Sequence, residues 1–144
     1  MKNSLVNSRV SSSFPTFPHC FVCGIDNPKG LHINFSLAEN SAKAIFIADE
    51  THLGYENAVH GGIISALLDE AIIWACYAST REFGVTAELN VRFKKPLPIH
   101  KKCIVEGKMI ENRGKLWIAE AKILDERNNF YAKATAKIIP VHLN

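Results

Sequence analysis

With 144 residues, 47% of them hydrophobic, the chain is long enough for one domain with a real core and short for two. A formal charge of +3 with 22% charged residues is far from the clustered basic composition of a nucleic-acid binder. No apolar run approaches the roughly 20 residues that cross a bilayer, and the opening MKNSLVNSRVSSSFPTFPH lacks the continuous apolar segment of a secretory signal. A soluble, cytoplasmic protein without a membrane or nucleic-acid partner is the expectation.

Residues 1–18 are rich in serine and asparagine, carry prolines near their end and show no sustained period, which reads as a flexible N-terminal arm. Residues 19–144 then form a single domain. The four cysteines, Cys20, Cys23, Cys76 and Cys103, do not make a disulfide framework. HCFVCG, residues 19–24, has metal-ligand spacing, but no second CxxC exists, and only His19 and His32 are at hand to complete a set of four. A structural turn, with Cys23 and Gly24 packed under a sheet, is preferred over a metal or redox pair. No metal is expected.

Leu31, Ile33, Phe35 and Leu37 alternate with polar residues, the period of a half-buried strand, and AKAIFIA at 42–48 is a second apolar run. The AENS turn between them makes a hairpin. DETHLGYENAVHGG follows as a loop. From Gly62 to about Thr80 the chain is free of proline and apolar nearly all round, with Ile64, Leu67, Leu68, Ala71, Ile72 and Ala75 at helical spacing. Such a helix is wrapped by other structure.

GVTAELNVRFKKPLP is a clear strand, with Val85, Ala87, Leu89, Val91 and Phe93 on one face and Thr86, Glu88, Asn90 and Arg92 on the other. KKCIVEGKMIE, KLWIAEAKILD and NNFYAKATAKIIPV are three more, joined by short turns. One buried helix and about six strands predict an α+β domain, an antiparallel curved sheet wrapped around one long central helix.

Chemistry gathers at the helix entrance. The glycines of HGG let the backbone approach a ligand, and the first helical amides, Gly61 or Gly62, have no intrahelical acceptor. Together with the helix dipole they suit an oxyanion. Asp69 and Glu70 carry a desolvation cost that packing alone would not choose, so at least one should face a cavity or an interface. Adjacent helix positions are about 100° apart, which gives the two acids different surroundings. His60 positions a substrate carbonyl or the loop; Asn57 orients water or substrate, or caps the loop. Arg92, Lys94, Lys95, Lys101 and Lys102 cluster around one strand and its following turn, where they either hold phosphates or protect a solvated edge.

The joint occurrence of NPKGLHINF, GYENAVHGGIISALLDEAIIWA and VTAELNVRFKKPLP resembles the PaaI-like branch of the hotdog-fold acyl-CoA thioesterases. The resemblance covers nearly everything after the arm. It implies hydrolysis of an acyl-CoA thioester without a cofactor, with Asp69, nine positions after His60, as general base or nucleophile, and Glu70 as a second candidate. It also implies a homodimer, extended to a homotetramer, with each site built from both chains. Thr86 falls where relatives carry a hydroxyl that orients the attacking water from the partner subunit, and Arg92, Lys94 and Lys95 would meet the coenzyme A phosphates. At Gly54 the sequence departs from relatives that place an asparagine or glutamine there, with Asn57 as a possible substitute. Two other readings stand beside this one: a non-catalytic acyl-CoA-binding dimer, motivated by Gly54, and an enoyl-CoA hydratase or dehydratase, whose proline-rich loop after an HF pair is missing here.

Overall fold

The computed structural model describes residues 15–141. Most of the expected arm, residues 1–14, lies outside the described residues. The arm's last residues are described, and Phe17 packs its ring on Phe83, 5.2 Å between centroids, and on Trp74.

The elements follow in chain order: β1 (Ser36–Leu37), β2 (Ser41–Ile47), a 3-10 turn (Glu50–His52), β3 (Leu53–Tyr55), β4 (Ala58–Val59) and α1 (Gly61–Thr80). Then come β5 (Phe83–Phe93), β6 (Lys102–Asn112), β7 (Trp117–Asp125) and β8 (Phe130–Val141). Six strands form one antiparallel sheet in the order β1-β2-β6-β7-β8-β5, and the remaining two form a small hairpin before the helix. The predicted α+β architecture is the one observed.

The first predicted strand is mostly not a ladder strand. Residues 31–35 join no ladder and His32 sits left-handed at φ 54°; Leu31 and Ile33 donate their amides to the Phe21 and Val22 carbonyls at 2.8 Å instead of to β2. Alternation survives because Ile33 and Phe35 still face the core. The β3–β4 hairpin lies where the sequence shows only loop, since two- and three-residue strands carry no period to detect.

α1 begins where His60 caps it, the ring Nδ1 accepting from the Gly62 amide at 2.8 Å. It ends where Arg81 turns left-handed at φ 62° and donates its amide to the Tyr77 carbonyl. The helix does not meet the expectation of a chain without a long apolar run. At 20 residues and a mean hydropathy of 1.4, α1 is long and apolar enough to cross a bilayer by length and composition. Its composition has a local cause: Ile64, Leu67, Leu68, Ala71, Ile72, Trp74 and Ala75 are buried under the sheet. Each large aliphatic among them contributes about 1.5–3 kcal/mol by leaving water.

Small residues set how close the helix comes. Ala119, Ala121, Ala134 and Ala136 line the inner face of β7 and β8, and on β6 a side chain is missing altogether. A Cβ on Gly107 would lie 2.3 Å from the Ala71 carbonyl oxygen, so the helix backbone rests directly on the strand. The contact fixes the depth of α1, and with it the position of Asp69 two residues earlier.

Candidate active site

Asp69 and Glu70 leave α1 in different directions, as their adjacent positions require. Asp69 is half-buried, and the Thr86 hydroxyl donates to its Oδ1 at 2.6 Å. No ion pair reaches Asp69 or Glu70 among the described residues. The hydroxyl occupies Oδ1 and leaves Oδ2 for another proton donor.

This contact corrects one expectation about Thr86. The alternation in β5 set it on the face opposite Leu89 and Val91. In the structure it meets Asp69 of its own chain. The reason is a bulge: Thr86 pairs with Ile138 and Glu88 with Lys137, so Ala87 is an extra residue in β5. The alternation shifts by one across it. Thr86 therefore shares the inner side with Leu89 and Val91, while Val85 is 53% exposed.

At the helix start the two glycines differ. The Gly62 amide is spent on His60 Nδ1, so it is not a waiting oxyanion donor as expected. Ile63 and Ile64 both donate to the His60 carbonyl. The Gly61 amide donates to no acceptor among the described residues. Having its Nδ1 as an acceptor places the proton of the neutral His60 ring on Nε2. Gly61 lies beneath the Phe93 ring, with 3.4 Å between a Cβ built there and the ring edge.

The departure at Gly54 is real in space as well as in sequence. A Cβ on Gly54 would lie 3.1 Å from the His60 Cα, so this position borders the helix entrance and presents no side chain to it. Asn57 does not fill the gap. It sits at φ 52°, and its Oδ1 accepts from the Ile99 amide at 3.4 Å, which makes it a loop cap.

Glu70 keeps other company. Its Oε2 accepts from Trp74 Nε1 at 3.0 Å and from the Cys20 thiol at 3.5 Å. Burial first, and then the Glu70 charge, push the Cys23 thiol above its ordinary value. His19 and His32, offered as partners of the cysteines, do not join them; His32 Nε2 instead meets the Asn27 carbonyl at 2.6 Å. The expected structural turn is present, since Cys23 is buried and a Cβ on Gly24 would lie 2.4 Å from the Pro18 carbonyl oxygen. Glu70 is the group that sequence reading missed there, because nothing local ties residues fifty positions apart. Beside it an apolar cavity of about 310 Å³ is lined by Phe17, Cys20, Ile73, Trp74, Phe83 and Val85.

The basic cluster divides. Lys101 pairs with Asp125 at 3.6 Å and Lys102 with Glu126 at 3.5 Å. Lys94 and Lys95 lie over the Phe130 and Tyr131 rings, and Arg92 stands opposite Lys133 across the ladder.

A family model described as the thioesterase superfamily matches residues 56–131, more than half of the chain. The chain belongs to the thioesterase superfamily. The matched residues take in the helix entrance, Asp69 and Thr86. Among curated relatives, mouse acyl-coenzyme A thioesterase THEM4 is 30% identical over 88 residues, 60% of this chain; the chain spans only 37% of that protein's length. Among solved structures, the Escherichia coli PaaI protein from the phenylacetic acid degradation operon superposes with a TM-score of 0.72 at 18% identity, over 78% of this chain and 81% of that one. A Streptococcus mutans UA159 protein bound to acetyl CoA gives 0.69 at 18% identity, over 76% and 88%. These superpositions place this thioesterase-superfamily chain in the PaaI-like hotdog fold.

Proposed function

We propose that the chain hydrolyses an acyl-CoA thioester, with Asp69 acting as general base on a water and the Gly61 amide holding the developing oxyanion. The observation that carries this reading is the 2.6 Å bond from Thr86 to Asp69, which ties a helix carboxylate by one oxygen and leaves the other for water. The relative named as an acyl-CoA thioesterase and the structure bound to acetyl CoA support the choice of substrate class. Arg92, Lys94 and Lys95 would meet the nucleotide phosphates, with Lys133 beside them.

The spacing along the helix supports a site shared between two chains. Gly61 and Asp69 are eight residues apart on one helix, about 12 Å at 1.5 Å per residue. An amide and a carboxylate that far apart on one helix are poorly placed for a single thioester, and a pair drawn from two chains fits it better. A second copy would supply the missing half. β5, which carries Thr86, is the last strand of the sheet and exposes Val85 and Phe93, and this edge suits pairing with the same strand of another chain.

Free-thiol release from short, long and aromatic acyl-CoAs tests the assignment. Asp69→Asn should lower turnover at least about a hundredfold with the fold intact. Unchanged turnover would remove Asp69 from the chemistry. Tight acyl-CoA binding with no thiol released by the unaltered protein would favour the non-catalytic reading.

A further inference from the structure

We infer that Cys20, Cys23 and Glu70 form a binding site for a soft divalent cation, zinc being the natural occupant, that clips the N-terminal loop to α1. This goes beyond hydrolysis and does not depend on it. The two sulfurs and the carboxylate oxygen all lie within 4.8 Å of one another. Bonds of about 2.3 Å to sulfur and 2.0 Å to oxygen at a tetrahedral angle separate S from O by about 3.5 Å and S from S by about 3.8 Å. The Cys20 Sγ to Glu70 Oε2 distance is 3.5 Å. Little movement is needed to seat the ion.

The surroundings are those of a ligand set. In CFVCG the Cys23 amide is directed at Cys20 Sγ at 3.5 Å, a bond that strengthens once the sulfur is a thiolate. Gly24 makes the tight knuckle possible: its amide bonds the Cys20 carbonyl at 2.9 Å, and a Cβ there would strike backbone at 2.4–2.6 Å. The Phe21 and Val22 carbonyls, held by Leu31 and Ile33, fix the two residues between the cysteines. Behind the carboxylate, Trp74 Nε1 donates to Oε2 and orients it, the outer-shell support that metal-ligating groups carry.

Charge decides between a metal and a redox pair. A redox-active cysteine sits beside cations or a helix N-terminus that stabilise its thiolate. Here the neighbour is Glu70, and among the described residues no ion pair supplies it with a counter-charge. A divalent cation would supply that charge while two thiol protons leave to solvent. Three protein ligands would leave a fourth position for water or another donor, and Cys20 and Glu70 both line the 310 Å³ cavity.

The test uses the full chain, purified reduced and without chelator. About one zinc per chain should survive dialysis, and cobalt added to the stripped protein should give thiolate-to-cobalt charge-transfer bands that zinc abolishes. Cys20→Ser and Cys23→Ser should each remove those bands. Glu70→Gln should weaken zinc binding more than about tenfold. If the folded, fully reduced protein takes up neither metal, or if the bands persist in Cys20→Ser, the site does not exist. Should either serine variant fail to fold, the metal content and cobalt spectrum of the unaltered chain still decide.

Discussion

Gly61→Pro removes one N–H and little else, which makes it a clean probe of the helix entrance. His60 stands at φ −58°, ψ 135°, the extended conformation that a residue before proline prefers. The first helical position tolerates proline best. The amide lost has no acceptor among the described residues, and the new side chain starts at ordinary contact distance from the Phe93 ring. Stability should rise by about 0.4–1 kcal/mol or stay level, because the unfolded chain becomes stiffer. Activity should fall about 10²–10³-fold in kcat, the loss of one oxyanion donor, equivalent to about 2.7–4 kcal/mol. Thiol release and thermal melting on the same preparation read both quantities. A variant that melts like the unaltered protein and turns over at the same rate would refute the role of this amide. The proposed two-chain site makes a second demand: co-expressed Gly61→Pro and Asp69→Asn chains should recover about a quarter of normal activity, from the one intact site in each mixed dimer. Mixed dimers as inactive as either parent would refute the shared site.

Thr86→Val deletes a hydrogen bond to a charged group worth about 1.5–3 kcal/mol, so kcat/KM should drop roughly ten- to hundredfold while Thr86→Ser stays near normal; equal loss in both variants would remove the hydroxyl from the argument. Gly107→Ala forces a methyl against the Ala71 carbonyl oxygen, 2.3 Å from the ideal Cβ, and should cost about 1–3 kcal/mol, read as a lowered Tm. Asp125 is a pH probe. Burial alone would raise its carboxyl, but hydrogen bonds from Asn129, Arg127 and Tyr131 overcome that and hold it well below the usual range. A lowered carboxyl stabilises the fold fully above its unfolded value near 4 and loses that contribution as pH falls toward the folded one. Asp125→Asn should therefore lower Tm clearly at pH 7, with the gap to the unaltered protein closing in acid.

Most of the architecture was legible because it rests on period. The two-residue alternation marked β5 to β8, and an apolar run without proline marked α1, within a residue of its observed start. What stayed hidden depends on single residues or distant pairings. Alternation cannot reveal the extra residue at Ala87, so it sets Thr86 opposite Leu89 and Val91 instead of beside them. HGG offers two candidate amides, and only the orientation of the His60 ring separates the capped Gly62 from Gly61. The acids Asp69 and Glu70 were rightly given different surroundings by helical geometry. That Glu70 would meet Cys20 follows from tertiary packing across fifty residues, which no local pattern encodes.

The bare contact between Gly107 and Ala71 has a bearing on substrate choice. With no side chain as cushion, the middle of the spiral has a hard floor and cannot sink to make room for a bulkier ligand. Adaptation falls to whatever can swing aside near its far end, where Phe83 stacks on Tyr77 at 4.6 Å and abuts Trp74. If the proposed acyl-CoA hydrolysis holds, tail-length preference should be re-tuned by trimming those rings rather than by loosening the scaffold.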